Sequence, residues 1–308
     1  MKFVIQVEHL TKQFGRIRAV DDLSFTVSKG EVYGFLGQNG AGKSTTIRML
    51  LSLVRPDSGS ISIFDKNIAK HKKEVLSRTG AIIEKPDLYK FLTAYENLSM
   101  AASLNGMHLT SSQLLKQLAM VGIEERAHSK VKTFSQGMKQ RLGMACALVH
   151  NPGLIILDEP TNGLDPQGIS DIRNLILHLS RNENRTLLIS SHLLSEMEMI
   201  ADSMLIIDKG RKVAEGKVSE LFDPSQSVVH LQTTDDSAAI HLLLQTSWPA
   251  TIDDGVIKLK MNRSDIPALV QYLVSNGVGL LSIYNKHSLE EYFLSLTTPN
   301  QHVAAFKN

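Results

Sequence analysis

The stretch Gly37-Gln38-Asn39-Gly40-Ala41-Gly42-Lys43-Ser44-Thr45 constrains this chain more than any other. It follows the short apolar run Val32-Tyr33-Gly34-Phe35-Leu36 and precedes a helical pattern from Lys43 to Val54, so a G-x-x-x-x-G-K-S segment stands between a strand and a helix. Glycines let the backbone curl until successive N–H groups face inward, and the helix N-terminus adds partial positive charge. The main chain of such a loop holds the β- and γ-phosphates of a nucleotide, here taken as ATP. Gly37, Asn39, Gly40, Ala41, Gly42 and Thr45 are the candidate nucleotide-binding positions, Lys43 neutralises phosphate oxygens, and Ser44 offers its hydroxyl to Mg²⁺. A glycine-rich turn that merely precedes Lys and Ser is the bland alternative; the strand–loop–helix setting argues against it.

A second segment, Leu154-Ile155-Ile156-Leu157-Asp158-Glu159, is an apolar strand that ends in two carboxylates. The C-terminal ends of strands are where ligands bind in open α/β sheets. Asp158 is placed to reach Mg²⁺, directly or through water, and Glu159 to polarise an attacking water. Taken alone, an acidic pair at a strand end is more often a turn or a helix cap. In a chain with a P-loop it becomes the expected partner.

The architecture read from the pattern is α/β. Alternating stretches Phe3 to Val7 and Leu23 to Val27 give an N-terminal β part, with a further strand from Ser60 to Phe64. Residues 86–150 read as an inserted helical lobe, with Leu114, Leu115, Leu118 and Val121 on one face. Continuous apolar strands Leu154 to Leu157, Thr186 to Ile189 and Met204 to Ile207 then alternate with helices near Ile169 to Leu179 and Leu193 to Ile200. That alternation means a parallel sheet covered on both faces.

The 308 residues suit two domains at about 150 residues each. The expected division is an ATPase domain over 1–223 and a small C-terminal α+β domain over 228–308. In the latter the pattern gives strands Val228 to Gln232, Val256 to Lys260 and Leu280 to Tyr284, and helices Ala238 to Leu244, Asp265 to Ser275 and Leu289 to Leu296.

Charge and apolar runs exclude some classes. Lys plus Arg is 33 against 31 Asp plus Glu, a net charge of +2, so there is no basic field of the kind nucleic-acid binding uses. No apolar run approaches the roughly 20 residues of a membrane-spanning helix. The start, Met1 to Glu8, alternates like a strand and lacks the apolar region and cleavage site of a signal peptide. The single cysteine, Cys146, excludes an internal disulfide, points to the cytosol, and reads as core packing on a helix face.

Phe134-Ser135-Gln136-Gly137-Met138-Lys139-Gln140-Arg141 is similar to the signature loop of the nucleotide-binding subunits of ABC transporters. That loop usually reads Leu-Ser-Gly-Gly-Gln; Gln136 and Met138 depart from it while Ser135 and Gly137 remain. Ser135 is also a good N-cap for the helix that follows, and a capped helix N-terminus is an anion site. Asn162-Gly163-Leu164-Asp165 resembles the family's D-loop, His192 in Ser190-Ser191-His192 its switch histidine, and Phe14 before Gly15 the ring placed against adenine. The structural alternatives are a core histidine and a strand-end aromatic.

The resemblance, over about Phe3 to Phe222, implies an ATPase subunit that binds ATP and Mg²⁺. It further implies head-to-tail pairing with a second copy, so that Ser135, Gly137 and Asp165 serve the opposite P-loop, and attachment to a separate membrane permease at the cytoplasmic face of the cell membrane.

One departure is specific. Thr79 to Pro86, followed by Leu92 to Leu98, aligns with the family's Q-loop, yet the glutamine is Glu84. This puts a third carboxylate near Asp158 and Glu159, able to bind Mg²⁺ and to tune hydrolysis and coupling. The resemblance is closest to the bacitracin-resistance and lantibiotic-immunity exporters, so export of a peptide antibiotic is the expected task. A drug, lipid or ion is the alternative cargo. A soluble ABC protein of translation or repair, or a small-metabolite P-loop kinase, are the rival classes: the first lacks its second cassette or coiled coil here, the second leaves Phe134 to Arg141 and His192 unexplained.

Overall fold

The alternating residues at the start of the chain form one long antiparallel hairpin, β1 (Phe3–Phe14) and β2 (Ile17–Ser28), with Phe14 opposite Ile17 at its tip. Sequence alternation marks only its base. The pairing shifts register between Val7 and Leu10 and again between Leu10 and Lys12, and His9 and Asp22 take left-handed φ values of 50° and 54°. Each bulge resets which side chains face inward, so the period of two fails while the strand continues.

In this computed structural model residues 2–221, 228–248, 250–253 and 256–286 are described, and the chain divides into two compact units, Met1–Lys217 and Val218–Asn308. In the first, β3 (Val32–Leu36) is buried at all five positions and leads into α1 (Lys43–Leu50). α1 stops short of the expected Val54. Ser52 is left-handed at φ 55°, and the N–H groups of Leu53 and Val54 both turn back to the Arg48 carbonyl, at 2.8 and 3.2 Å, a closure that ends helices.

β4 (Ser58–Ile63) and the two-residue β5 (Lys66–Asn67) complete an antiparallel sheet of order β2-β1-β4-β5. α2 (Ile68–Leu76) and β6 (Thr79–Ile82) do not show in the sequence pattern, because α2 buries only Ile68 and Val75 and β6 is four residues long. The helical stretch contains α3 (Ala94–Leu104), α4 (Ser111–Met120) and α5 (Gln136–Leu148). Thr93 and Thr110 start the first two by exchanging capping hydrogen bonds with Glu96 and Gln113.

β7 (Leu154–Asp158), α6 (Pro166–Arg181), β8 (Thr186–Ser191), α7 (Leu194–Ile200), β9 (Ser203–Asp208) and β10 (Arg211–Lys217) follow. The second sheet has the order β10-β9-β3-β8-β7-β6 and is parallel except for β10. β10 has no residue fully buried, which is why it left no apolar run to read. Ile5, Leu23 and Phe25 of the hairpin share one core with Phe35, Ile156 and Leu188, so the two sheets enclose a single apolar layer. Parallel register sets Leu36 against Ser191 and Asp158 against Ser190, which brings the C-terminal ends of β3, β7 and β8 side by side.

The second unit opens with α8 (Val218–Leu221) and runs β11 (Val228–Thr233), α9 (Asp236–Leu243), β12 (Ala250–Asp253), β13 (Val256–Lys260), α10 (Ile266–Ser275) and β14 (Leu280–Lys286). The sheet order β12-β13-β11-β14, antiparallel throughout, makes this a split βαβ unit of ferredoxin-like topology. Its core packs Val229, Leu231, Ile257 and Leu259 of the sheet with Ala239, Leu243, Leu269 and Leu273 of the helices. β12 went unread in the sequence; the helix expected over Leu289 to Leu296 lies outside the described residues. Among the described residues no helix is long and apolar enough to cross a membrane.

Candidate functional site

The P-loop leaves β3 at Gly37, whose N–H donates to the Ser191 carbonyl at 3.3 Å. Gly40 and Gly42 have φ values of 83° and 108°, which other residues reach only with strain. Gly42 is also sterically required: a Cβ there would lie 2.4 Å from the Ala19 carbonyl oxygen on β2. Gly42 caps α1 without any side-chain hydrogen bond, so the first N–H groups of the helix remain available to an anion. Lys43 is only 4% exposed, and its ammonium donates to the carbonyls of Gly37 at 2.6 Å and Gln38 at 3.2 Å.

At the end of β7, Asp158 is buried; its Oδ1 accepts the Ser190 hydroxyl, while its Oδ2 is buried with no partner in the protein. The next residue, Glu159, has φ 48° and is fixed by its N–H, which donates to the Ser190 carbonyl at 3.2 Å and to Ser190 Oγ at 2.9 Å. A glutamate held in the left-handed region costs on the order of 1–3 kcal/mol, and such strain clusters where side chains must be aimed. Here the carboxylate lies between two nitrogens: Oε1 is 3.2 Å from Lys43 Nζ and Oε2 is 2.8 Å from His192 Nδ1.

Ser135 caps α5, accepting the Met138 N–H at 3.2 Å, and a Cβ on Gly137 would meet nothing within 4 Å. Asp165 caps α6, accepting the Gly168 N–H at 2.9 Å. Glu84, left-handed at φ 58°, forms an exposed ion pair with Arg48 of α1. Phe14 is 49% exposed at the hairpin tip with Lys12 Nζ 5.3 Å from the ring centroid. Cys146 is half-buried, and desolvation pushes its thiol up to about 12, which argues against nucleophilic chemistry.

Asn39, Ser44, Glu84, Asp158 and Glu159 line one cleft of about 500 Å³, a size in the range of small-ligand sites. Gln136, Asn162 and Gly163 line it as well, whereas Phe14, Lys43, Ser135, Gly137, Asp165 and His192 are not among its walls. The unpartnered Asp158 Oδ2 and the Ser44 hydroxyl form a donor set suited to a hard divalent cation that takes its other ligands from phosphate and water. Among the described residues no three His, Cys, Asp or Glu side chains converge on one metal position, so Glu84 does not complete a protein-only cage. Sequence reasoning missed Ser190, which donates to the Asp158 carboxylate and accepts the Glu159 backbone N–H, and Lys85 and Gln140, which line the cleft. Ser190 stands two residues before the singled-out His192, and Lys85 and Gln140 lie within the Q-loop-like and signature-like segments without having been singled out.

A family model described as ABC transporter matches residues 20–162. The chain is 43% identical over 300 residues to a bacitracin transport ATP-binding protein of Bacillus licheniformis, covering 96% of this chain and 98% of that one. It is 40% identical over 228 residues to a lantibiotic transport ATP-binding protein of Streptococcus pyogenes, covering 74% and 95%. Among solved structures it is similar to an ATP binding subunit of an ABC transporter, with 32% identity and a TM-score of 0.63 over 71% of this chain and 91% of that one.

Proposed function

We propose that this chain, which belongs to the ABC transporter family as an ATP-binding and ATP-hydrolysing subunit, powers export of a peptide antibiotic through a separate membrane permease. The observation that carries the cargo reading is the match at 43% identity over 98% of a protein named for bacitracin transport. A whole-length match to a transport subunit also favours transport over the soluble and kinase readings.

The residues divide the work. The P-loop N–H groups and Lys43 bind the β- and γ-phosphates, Ser44 and Asp158 hold Mg²⁺, and Phe14 offers a ring to the adenine. The cation supplies charge neutralisation on the phosphates. Glu159 orients the attacking water and accepts its proton, and His192, 2.8 Å away, holds that carboxylate while facing the γ-phosphate. Glu84 tunes this chemistry from the cleft wall.

Ser135, Gly137 and Asp165 are assigned to the P-loop of a second copy packed head to tail; the open space over Gly137, where a Cβ would meet nothing within 4 Å, supports this. Closure of such a pair on ATP and reopening after hydrolysis would be passed to the permease at the cytoplasmic face of the membrane.

Deletion of the gene, followed by growth inhibition against bacitracin, several lantibiotics and non-peptide drugs, tests the cargo. Sensitisation to a peptide antibiotic, restored by the wild-type gene and not by Glu159→Gln, is expected. Unchanged sensitivity to every peptide tested rejects the cargo and leaves the ATPase standing.

A further inference from the structure

Behind the Glu159–His192 pair lies a second, deeper carboxylate. Glu196, in the first turn of α7, is 9% exposed. Its Oε2 accepts the Thr161 hydroxyl at 2.7 Å and the Ser191 hydroxyl at 3.2 Å. The two donors come from different loops. Thr161 is two residues beyond Glu159, in the segment that continues to Asn162 and Asp165. Ser191 ends β8 next to His192, and its carbonyl receives the Gly37 N–H of the P-loop. Ser191 Oγ also accepts the Leu193 N–H at 2.9 Å, which fixes the turn that carries His192.

A carboxylate this buried is costly unless donors surround it, and the start of α7 adds favourable partial charge. An apolar side chain of the same size would fill the space without that cost. What the carboxylate alone provides is one oxygen shared by both loops.

We propose that Glu196 is a positioning residue for ATP hydrolysis: it ties the Thr161–Asp165 segment to His192, so that the Glu159–His192 spacing follows where that segment sits. The proposal rests on the roles given above to Glu159 and His192. Because Asp165 belongs to the same segment, the tie also gives a second copy a route to the switch histidine. Losing the shared oxygen lets the loops move independently, and a displacement near 1 Å at reacting groups costs about 10²-fold in rate.

The test uses the full chain and compares wild type, Glu196→Leu, Glu196→Gln and Glu159→Gln for melting temperature, affinity for a fluorescent ATP analogue, and steady-state phosphate release. Glu196→Leu keeps the volume and removes the acceptor, so kcat should fall about 10²-fold with nucleotide affinity and melting temperature retained. Glu196→Gln keeps an acceptor oxygen and should restore most of kcat. Wild-type kcat in Glu196→Leu, or no recovery in Glu196→Gln, overturns the proposal.

If Glu196→Leu does not fold, Thr161→Val, Ser191→Ala and their double variant decide. Losses in kcat that are less than additive support a shared tie, and additive losses refute it. Glu159→Gln separates the two readings: turnover retained there sinks the site assignment itself, whereas turnover lost there and kept in Glu196→Leu sinks only this inference.

Discussion

Lys43 and Glu159 form an ion pair inside the first unit, Nζ to Oε1 at 3.2 Å, with side chains only 4% and 17% exposed. The pair joins the group proposed to hold phosphate to the group proposed to activate water. On the roles proposed above, phosphate oxygens that took the ammonium would displace the carboxylate from it, which would make nucleotide binding and release of Glu159 one exchange.

Glu159→Gln should therefore lower kcat by at least about 10²-fold and leave ATP affinity unchanged or higher, since Lys43 no longer has a charged partner to give up. Phosphate release and nucleotide titration of the same preparation measure both. Wild-type turnover would remove Glu159 from the role of base.

Lys43→Ala should act on the other half of the exchange. It removes a phosphate contact and leaves Glu159 largely buried beside His192 and Asn162, with no lysine. ATP affinity should fall by at least about tenfold, the scale of one charge-assisted hydrogen bond. Equal affinity in equilibrium titration would contradict the assignment.

Glu159→Gln with ATP should accumulate dimers in size-exclusion chromatography, and Ser135→Arg or Gly137→Glu added to it should prevent them. The second change is mild for folding, because a Cβ at Gly137 meets nothing and an acid suits a helix N-terminus. Dimers that survive both would exclude the composite site.

Glu84→Gln breaks only an exposed pair with Arg48, so stability should change by less than about 1 kcal/mol. Hydrolysis rate across a Mg²⁺ series, or protection of cells against the exported compound, should change. No difference in either would make the carboxylate functionally silent.

Cys146 carries a pH prediction. Its thiol is raised to about 12 when folded, against an ordinary value near 8.5–9 in the unfolded chain. Between those values the unfolded state loses its proton first, so stability holds below about pH 8.5 and declines as pH rises toward 12. Denaturant midpoints at pH 8 and pH 10.5 should fall less in Cys146→Ala than in wild type. An identical decline would place the effect elsewhere.

The motif-bearing parts of this fold were legible because their chemistry is local. A P-loop is nine consecutive residues, and β7 and β8 announce themselves as apolar runs buried at every position. What the sequence hid depends on register. Ser190 reaches Asp158 only because β7 and β8 pair in parallel with those residues opposite, across 32 positions of chain. Glu196 sat inside a helix of mixed polarity and looked like surface. The tip half of the hairpin was lost to bulges, and α2 to a lysine-rich face with two buried anchors.

The close approach of Gly42 to Ala19 has a consequence for how energy is divided. The P-loop is wedged between β2 and the turn at Gly210, whose N–H donates to the Ala41 carbonyl at 2.9 Å while its own carbonyl takes the Asp21 N–H at 2.9 Å. The hairpin thus acts as a brace that sets the phosphate cradle during folding, before any nucleotide arrives. Ordering a loop around a ligand normally subtracts from affinity, and here that subtraction is already made. A methyl group added at Gly42 would meet the Ala19 carbonyl oxygen 2.4 Å away and push the loop off its brace, so binding of ATP would then have to bear the cost of ordering the loop.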